Sequence, residues 1–281
     1  MSNVSRPRAL EEVLAYRAEH RAVPFGGGTD LMVRYRGYTG TRPRIEGDVL
    51  FLDAVEELHA ITLEGESLWI GGAATMSEIL DDSRVPELLR RSIALIAAPA
   101  LRNRATLGGN ICNASPAADS LPPLYVHEAE VVVKSRSGER TLPIAEFLTG
   151  PGRTALAPEE ILYGVRLPAL PEGRLYYRKV GTRRANALSK LSAAGYARLE
   201  AGKVAAFRFA VGAVAPTVVR LPEAEEAVVG KAPGAIDCPR IVDLAAPRIR
   251  PIDDQRSTAT YRKRVALNAL SEFLHQLSEE Q

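Results

Sequence analysis

Residues 105–119 read Ala105-Thr106-Leu107-Gly108-Gly109-Asn110-Ile111-Cys112-Asn113-Ala114-Ser115-Pro116-Ala117-Ala118-Asp119. Two consecutive glycines follow a threonine and precede an asparagine. An upstream stretch has the same character: Pro24-Phe25-Gly26-Gly27-Gly28-Thr29-Asp30-Leu31. Glycine lets the chain adopt positive φ and lets a ligand approach the backbone. Successive N–H groups in such a turn converge into a nest for phosphate oxygens. Threonine hydroxyls and the asparagine amide add further hydrogen bonds. Two such segments suit the two phosphates of a dinucleotide; tight turns at strand ends are the other reading of each run alone. Neither follows the GxGxxG spacing of a Rossmann site, and no GxxxxGK[ST] phosphate loop occurs.

Outward from these segments, the pattern predicts a first helix over residues 7–20, a short strand over 22–25 and a helix start at 31–35. Residues 49–52 read as a strand. Residues 61–63 and 68–70, and then 129–134 and 140–142, read as two hairpins. Helices are expected over 86–98 and 121–126. A boundary falls near residues 167–173, which are rich in Pro and Gly. Beyond it, three strands are expected at 174–181, 189–199 and 203–214, then a helix at 222–229 and an amphipathic helix over 257–277. Strands in runs, with helices gathered beside them, indicate an α+β fold.

Composition narrows the function classes. The 281 residues are 46% hydrophobic and 25% charged, with 36 Lys and Arg against 34 Asp and Glu. A net charge of +2 gives no electrostatic case for a nucleic-acid partner. Cys112 and Cys238 form no CxxC pair, so the chain supplies no four-cysteine zinc or iron–sulfur set. His20, His59, His127 and His275 are scattered without metal-ligand spacing. No leader-like or membrane-spanning apolar run is legible, and a cytoplasmic location is expected.

The two glycine segments together resemble the FAD-binding medium subunit of the molybdenum hydroxylases, the group that includes aerobic carbon monoxide dehydrogenase and xanthine dehydrogenase. Gly26-Gly27-Gly28-Thr29-Asp30-Leu31 is similar to the family's AGGTDL loop, and residues 106–119 to its TxGGNIxxASPxxD stretch. Weaker similarities follow in order: Glu159-Glu160-Ile161-Leu162, then Lys179 with Gly181-Thr182-Arg183-Arg184, then Arg256-Ser257-Thr258-Ala259 with Tyr261-Arg262. Gly26 stands where many relatives have alanine, a difference expected to leave the turn unharmed.

The resemblance implies a FAD-binding domain of the vanillyl-alcohol-oxidase (PCMH) type over residues 1–168, with subdomains of about 1–50 and 51–168. A C-terminal domain over 169–281 would carry a three-stranded antiparallel sheet with helices. FAD would lie in the cleft between the first two parts. Pro24, Phe25, Gly26, Gly27, Gly28, Thr29, Asp30 and Leu31, with Thr106, Gly108, Gly109 and Asn110, would hold its pyrophosphate and adjoining ribityl. Asp119 would bond ribityl or ribose hydroxyls; a helix N-cap before Leu121 is its other reading. Ile96 and Leu162 match pocket-lining positions. Tyr177 and Lys179 match positions beside the isoalloxazine. Lys179 would lend positive charge to the reduced ring, or be a solvated strand lysine. Tyr176 and Tyr177 should point to opposite faces of their strand, one of them into the core. Arg183-Arg184 reads as a docking patch or as solvated charge.

No catalytic acid, base or metal ligand is expected on this chain. The resemblance implies that a [2Fe-2S] small subunit and a molybdopterin large subunit complete a hetero-oligomer, a dimer of heterotrimers. Electrons would pass from the iron–sulfur subunit through FAD to an external acceptor. Two rivals are a self-contained flavin-dependent oxidase and a non-catalytic assembly module that has lost its flavin.

Overall fold

Short β-branched and aromatic runs alternate with brief helices along the chain, and the computed structural model describes residues 3–38, 41, 45–183 and 186–279. Arg184, half of the Arg183-Arg184 pair, lies outside the described residues. The first elements are β1 (Val4–Ser5), α1 (Leu10–Glu19), β2 (Val23–Phe25), α2 (Leu31–Arg34) and β3 (Val49–Phe51). Next come β4 (Ile61–Glu64), β5 (Ser67–Gly71), α3 (Met76–Asp81), α4 (Glu87–Ala94), α5 (Pro99–Arg102), α6 (Leu107–Cys112) and α7 (Leu121–Val126). They are followed by β6 (Glu130–Ser135), β7 (Gly138–Pro143), α8 (Ile144–Phe147), β8 (Leu148–Gly150), β9 (Arg153–Thr154) and β10 (Ile161–Pro168). The last are β11 (Arg174–Gly181), β12 (Ser189–Glu200), β13 (Lys203–Gly212), β14 (Val219–Arg220), α9 (Pro222–Val228), α10 (Cys238–Ala245) and α11 (Ala259–Glu279).

The chain forms two compact units. The first comprises residues 1–85, 98–114 and 129–168. In it β1, β3 and β2 make a parallel sheet, with Val49 opposite both Val4 and Val23. Leu10, Val13 and Leu14 of α1 pack with Leu50, Val55, Leu58 and Ile161. Arg17, on the same helix, is buried; its guanidinium donates to the carbonyls of Ala22 at 2.5 Å and Glu160 at 3.1 Å. It thereby anchors the chain just before β2. A second sheet, in the order β4-β5-β10-β6-β7, is antiparallel throughout. The central strand β10 is not among the strands expected from sequence. A bulge between Leu162 and Gly164 breaks its alternation, and Trp69 lies so close to Gly164 that a β-carbon there would come within 2.3 Å of its ring.

The second unit comprises residues 86–97, 115–128 and 169–281. Its sheet runs β11-β12-β13-β14, antiparallel, with the two-residue β14 added to the three strands expected from sequence. One face packs on α9, α10 and α11 through Leu191, Phe207, Phe209, Leu270 and Phe273. The ring of Phe273 lies against Gly195, where a β-carbon would come within 2.7 Å of it. The other face meets α7, where Gly212 comes close to Pro116 and Pro122. α4 ends at Ala94, short of the expected residue 98. Ala97 turns at φ 48°, and Pro99, which opens α5, disfavours helical geometry in the residue before it.

Candidate functional site

In the first unit the two glycine segments come together. A β-carbon on Gly26 would sit 2.8 Å from Thr106 Oγ1, and one on Gly27 would sit 1.7 Å from the Arg104 carbonyl oxygen. An alanine at position 26 therefore requires Thr106 to move, whereas the glycine present fits without displacement. Arg34 of α2 donates to the Asn113 side-chain oxygen at 3.0 Å, a second tie between the segments.

Their backbones differ sharply. In the second segment every N–H from Leu107 to Asn110 is committed. Leu107 donates to Ala74 O, Gly108 to Gly72 O and Asn110 to Thr106 O, each at 3.0 Å. Gly109 donates to the Thr106 hydroxyl at 3.1 Å, which caps α6. This stretch is a helical turn rather than the nest read from its glycines. Gly108 is needed for packing, because a β-carbon would lie 2.4 Å from the Gly72 carbonyl oxygen.

The first segment is the opposite case. Phe25 accepts from Leu52 N, and Gly28 O and Asp30 O accept from the α2 backbone. Among the described residues, no acceptor takes the N–H groups of residues 26–31. Gly28 has φ 71°, and a β-carbon would collide with the Phe25 ring at 2.0 Å. Donors without partners among the described residues, half-buried except at the exposed Asp30 and in a turn that glycine alone adopts without strain, fit an anion such as a pyrophosphate. Leu162, also in this unit, is buried on β10 beside its bulge, with its carbonyl against Gly72.

The second unit holds the remaining candidates. Asp119 is buried and accepts from two side chains: Lys179 Nζ at 2.8 Å and Ser189 Oγ at 2.5 Å. Its backbone carbonyl accepts from Tyr177 OH at 3.3 Å. Lys179 Nζ also donates to the Leu95 carbonyl at 2.7 Å. Asp119 caps no helix, since Ser120 is the N-cap of α7. Nor is Lys179 a solvated lysine, since its side chain is buried against that carboxylate. Lys179 and Tyr177 share a sheet face because they are two residues apart. Ser189 joins them through the β11–β12 register shift, which pairs Val180 with Leu191 but Gly181 with Ser189. Tyr176 points the other way, stacked 5.3 Å from Phe273, with its hydroxyl donating to Glu272 at 2.6 Å. The expected alternation of the two tyrosines is therefore present. Burial and the nearby Asp119 carboxylate push the Tyr177 phenol well above the ordinary tyrosine range, so it stays a neutral donor. Ile96 lies half-buried in the turn after α4.

Ser192, opposite Lys179 in the ladder, is fully buried, and its hydroxyl has no partner among the described residues. Ser192→Ala removes a desolvated group that makes no hydrogen bond. It is expected to leave stability unchanged or raise it by up to about 1 kcal/mol in urea unfolding.

With this geometry in place, comparison with known proteins is decisive. The family of FAD binding domains in molybdopterin dehydrogenases matches residues 1–170, and the C-terminal domain of carbon monoxide dehydrogenase flavoproteins matches residues 176–277. This chain belongs to the molybdopterin dehydrogenase flavoprotein family. It is 35% identical over 229 residues to the xanthine dehydrogenase FAD-binding subunit of Escherichia coli O157:H7, covering 79% of this chain and 77% of that one. It is 28% identical to the carbon monoxide dehydrogenase medium chain of Hydrogenophaga pseudoflava, covering 76% of each. The solved carbon monoxide dehydrogenase of Hydrogenophaga pseudoflava superposes with a TM-score of 0.88 at 26% identity, over 96% of this chain and 95% of that chain.

The flavoprotein is thus the medium, FAD-binding subunit of a xanthine and carbon monoxide dehydrogenase type of oxidoreductase, with FAD as its cofactor. The α+β, PCMH-type fold expected from sequence is the one observed. No helix among the described residues is long and apolar enough to cross a membrane. Sequence reasoning missed Gly72, which backs Gly108; Ser189, which bonds Asp119; and the Leu95 carbonyl. Only the small-residue run Gly71-Gly72-Ala73-Ala74 offered a signal.

Proposed function

We propose that this subunit passes electrons from a [2Fe-2S] partner to an external acceptor, within a complex whose large subunit carries molybdopterin. The assembly is a hetero-oligomer, a dimer of three-subunit units, located in the cytoplasm. Residues 1–168 form the FAD-binding part and 169–281 the C-terminal domain. When bound, FAD supplies the exchange between one-electron and two-electron carriers.

The chain's own residues bind and orient. The observation that carries the reading is the uncommitted N–H groups of residues 26–31, which offer donors to the pyrophosphate without dismantling other bonds. Pro24 and Phe25 lead into that turn. In the second segment, Thr106, Gly108, Gly109 and Asn110 contribute a surface and side chains rather than a nest. Asp119, Ile96, Leu162, Tyr177 and Lys179 complete the proposed FAD contacts. The Asp119 carboxylate balances the Lys179 charge 2.8 Å away, so the pair presents a dipole rather than a bare cation.

The test is a flavin-fluorescence titration of the purified chain with FAD, comparing wild type with Gly28→Ala. The variant's strained φ and its clash with Phe25 should weaken binding at least tenfold while the far-UV circular dichroism is unchanged. Wild-type chain that binds no FAD, either alone or with its iron–sulfur partner, would be an assembly module instead.

A further inference from the structure

We propose that Lys179 is a positioning residue that holds the turn Leu95–Ala97, and with it Ile96, through the Leu95 carbonyl. The part of this that concerns flavin rests on the function proposed above; the link between Lys179 and the turn does not.

The turn follows α4, and the Leu95 and Ile96 amides donate back to the Ser92 and Ile93 carbonyls of the helix's last turn. Ala97 sits at φ 48°, in a left-handed region that costs a β-carbon residue on the order of 1–2 kcal/mol. Leu95 is 40% exposed, so its burial does not pin the turn. The Lys179 ammonium reaches the Leu95 carbonyl from β11, and a cation at this end of a helix is also favoured by the helix dipole. The Lys179 side chain is only 8% exposed, and the Asp119 carboxylate and Ser189 hydroxyl behind it fix its position. Lys179 therefore acts on Ile96 by shaping the backbone beside it. Its charge is already matched by Asp119, so charge matching alone does not explain the contact with Leu95.

The test separates these two roles. Lys179→Met removes the tether but leaves a buried, unmatched carboxylate. The double variant Lys179→Met with Asp119→Asn removes the tether and the unmatched charge together. Hydrogen exchange is followed at the Leu95 and Ile96 amides, which donate to Ser92 O and Ile93 O, with β13 amides as the reference for global opening. In the double variant, exchange at Leu95 and Ile96 should rise about 10- to 100-fold while β13 is unchanged. Wild-type exchange in the double variant would overturn the proposal, because Lys179 would then act only by neutralising Asp119. Should the single variant fail to fold, the double variant still decides. Because Asp119 and Lys179 are themselves proposed FAD contacts, the link from the turn to the flavin is read from Ile96→Ala in a parallel flavin-fluorescence titration, where affinity should fall at least tenfold; unchanged affinity would sever Ile96 from the flavin. If wild-type chain binds no FAD, the functional reading fails, and the exchange result still decides the tether.

Discussion

Asp119→Ala should destabilise the FAD-free chain by about 3–5 kcal/mol in urea unfolding. Most of that cost comes from the buried ammonium left unpaired, and little from the missing attraction itself. The Lys179 side chain is 8% exposed, and without the carboxylate its ammonium keeps, among the described residues, only the Leu95 carbonyl. Ser189 also loses the acceptor of its buried hydroxyl. The chain can respond by drawing water into the sheet, which costs stability. Adding Lys179→Met to the same chain should recover most of the loss, since an apolar pair of similar volume needs no charge compensation. A single variant within 1 kcal/mol of wild type would mean that the ion pair is open to water.

Gly108→Ala should destabilise the FAD-free chain by about 2 kcal/mol, although local propensity predicts the opposite sign. Gly108 lies inside α6, where alanine is favoured over glycine by about 1 kcal/mol. Against this, the new β-carbon would stand 2.4 Å from the Gly72 carbonyl oxygen and 3.0 Å from its carbonyl carbon. The atoms in the way are backbone, so α6 must lift from the end of β5 and lose the Gly108 to Gly72 hydrogen bond. Overpacking of this kind costs about 1–3 kcal/mol. Gly234→Ala is the control: it meets no neighbour within 4 Å and should stay within about 0.5 kcal/mol. A stabilised Gly108→Ala would show that the glycine serves the ligand alone.

Part of the local geometry around the candidate residues was legible in residue order because it depends on local rules. Strand periodicity separates Tyr176 from Tyr177, one against Phe273 and the other toward Asp119. The hairpins at Ile61–Gly71 and Glu130–Pro143 follow from short apolar runs flanking Gly65 and Gly138, both at positive φ. The Asp119–Lys179–Ser189 cluster was not legible as a cluster. Its members come from three stretches of chain, and a bulge at the start of β12 puts Ser189 on the shared face. An alternating pattern predicts the wrong face for a residue on the far side of a bulge.

The sequence by itself determined that this protein has an α+β fold and pointed to two glycine segments as candidates to meet a phosphate-bearing cofactor, because glycine runs and apolar periods act within a few residues. Only the tertiary structure decided which segment keeps its donors. The carbonyls of Gly72 and Ala74, brought in at the end of β5, take the N–H groups of Gly108 and Leu107. Nothing within the described residues does the same for residues 26–31. The physical reason is that a backbone donor is satisfied by whichever acceptor the fold delivers, and residue order alone does not name that acceptor.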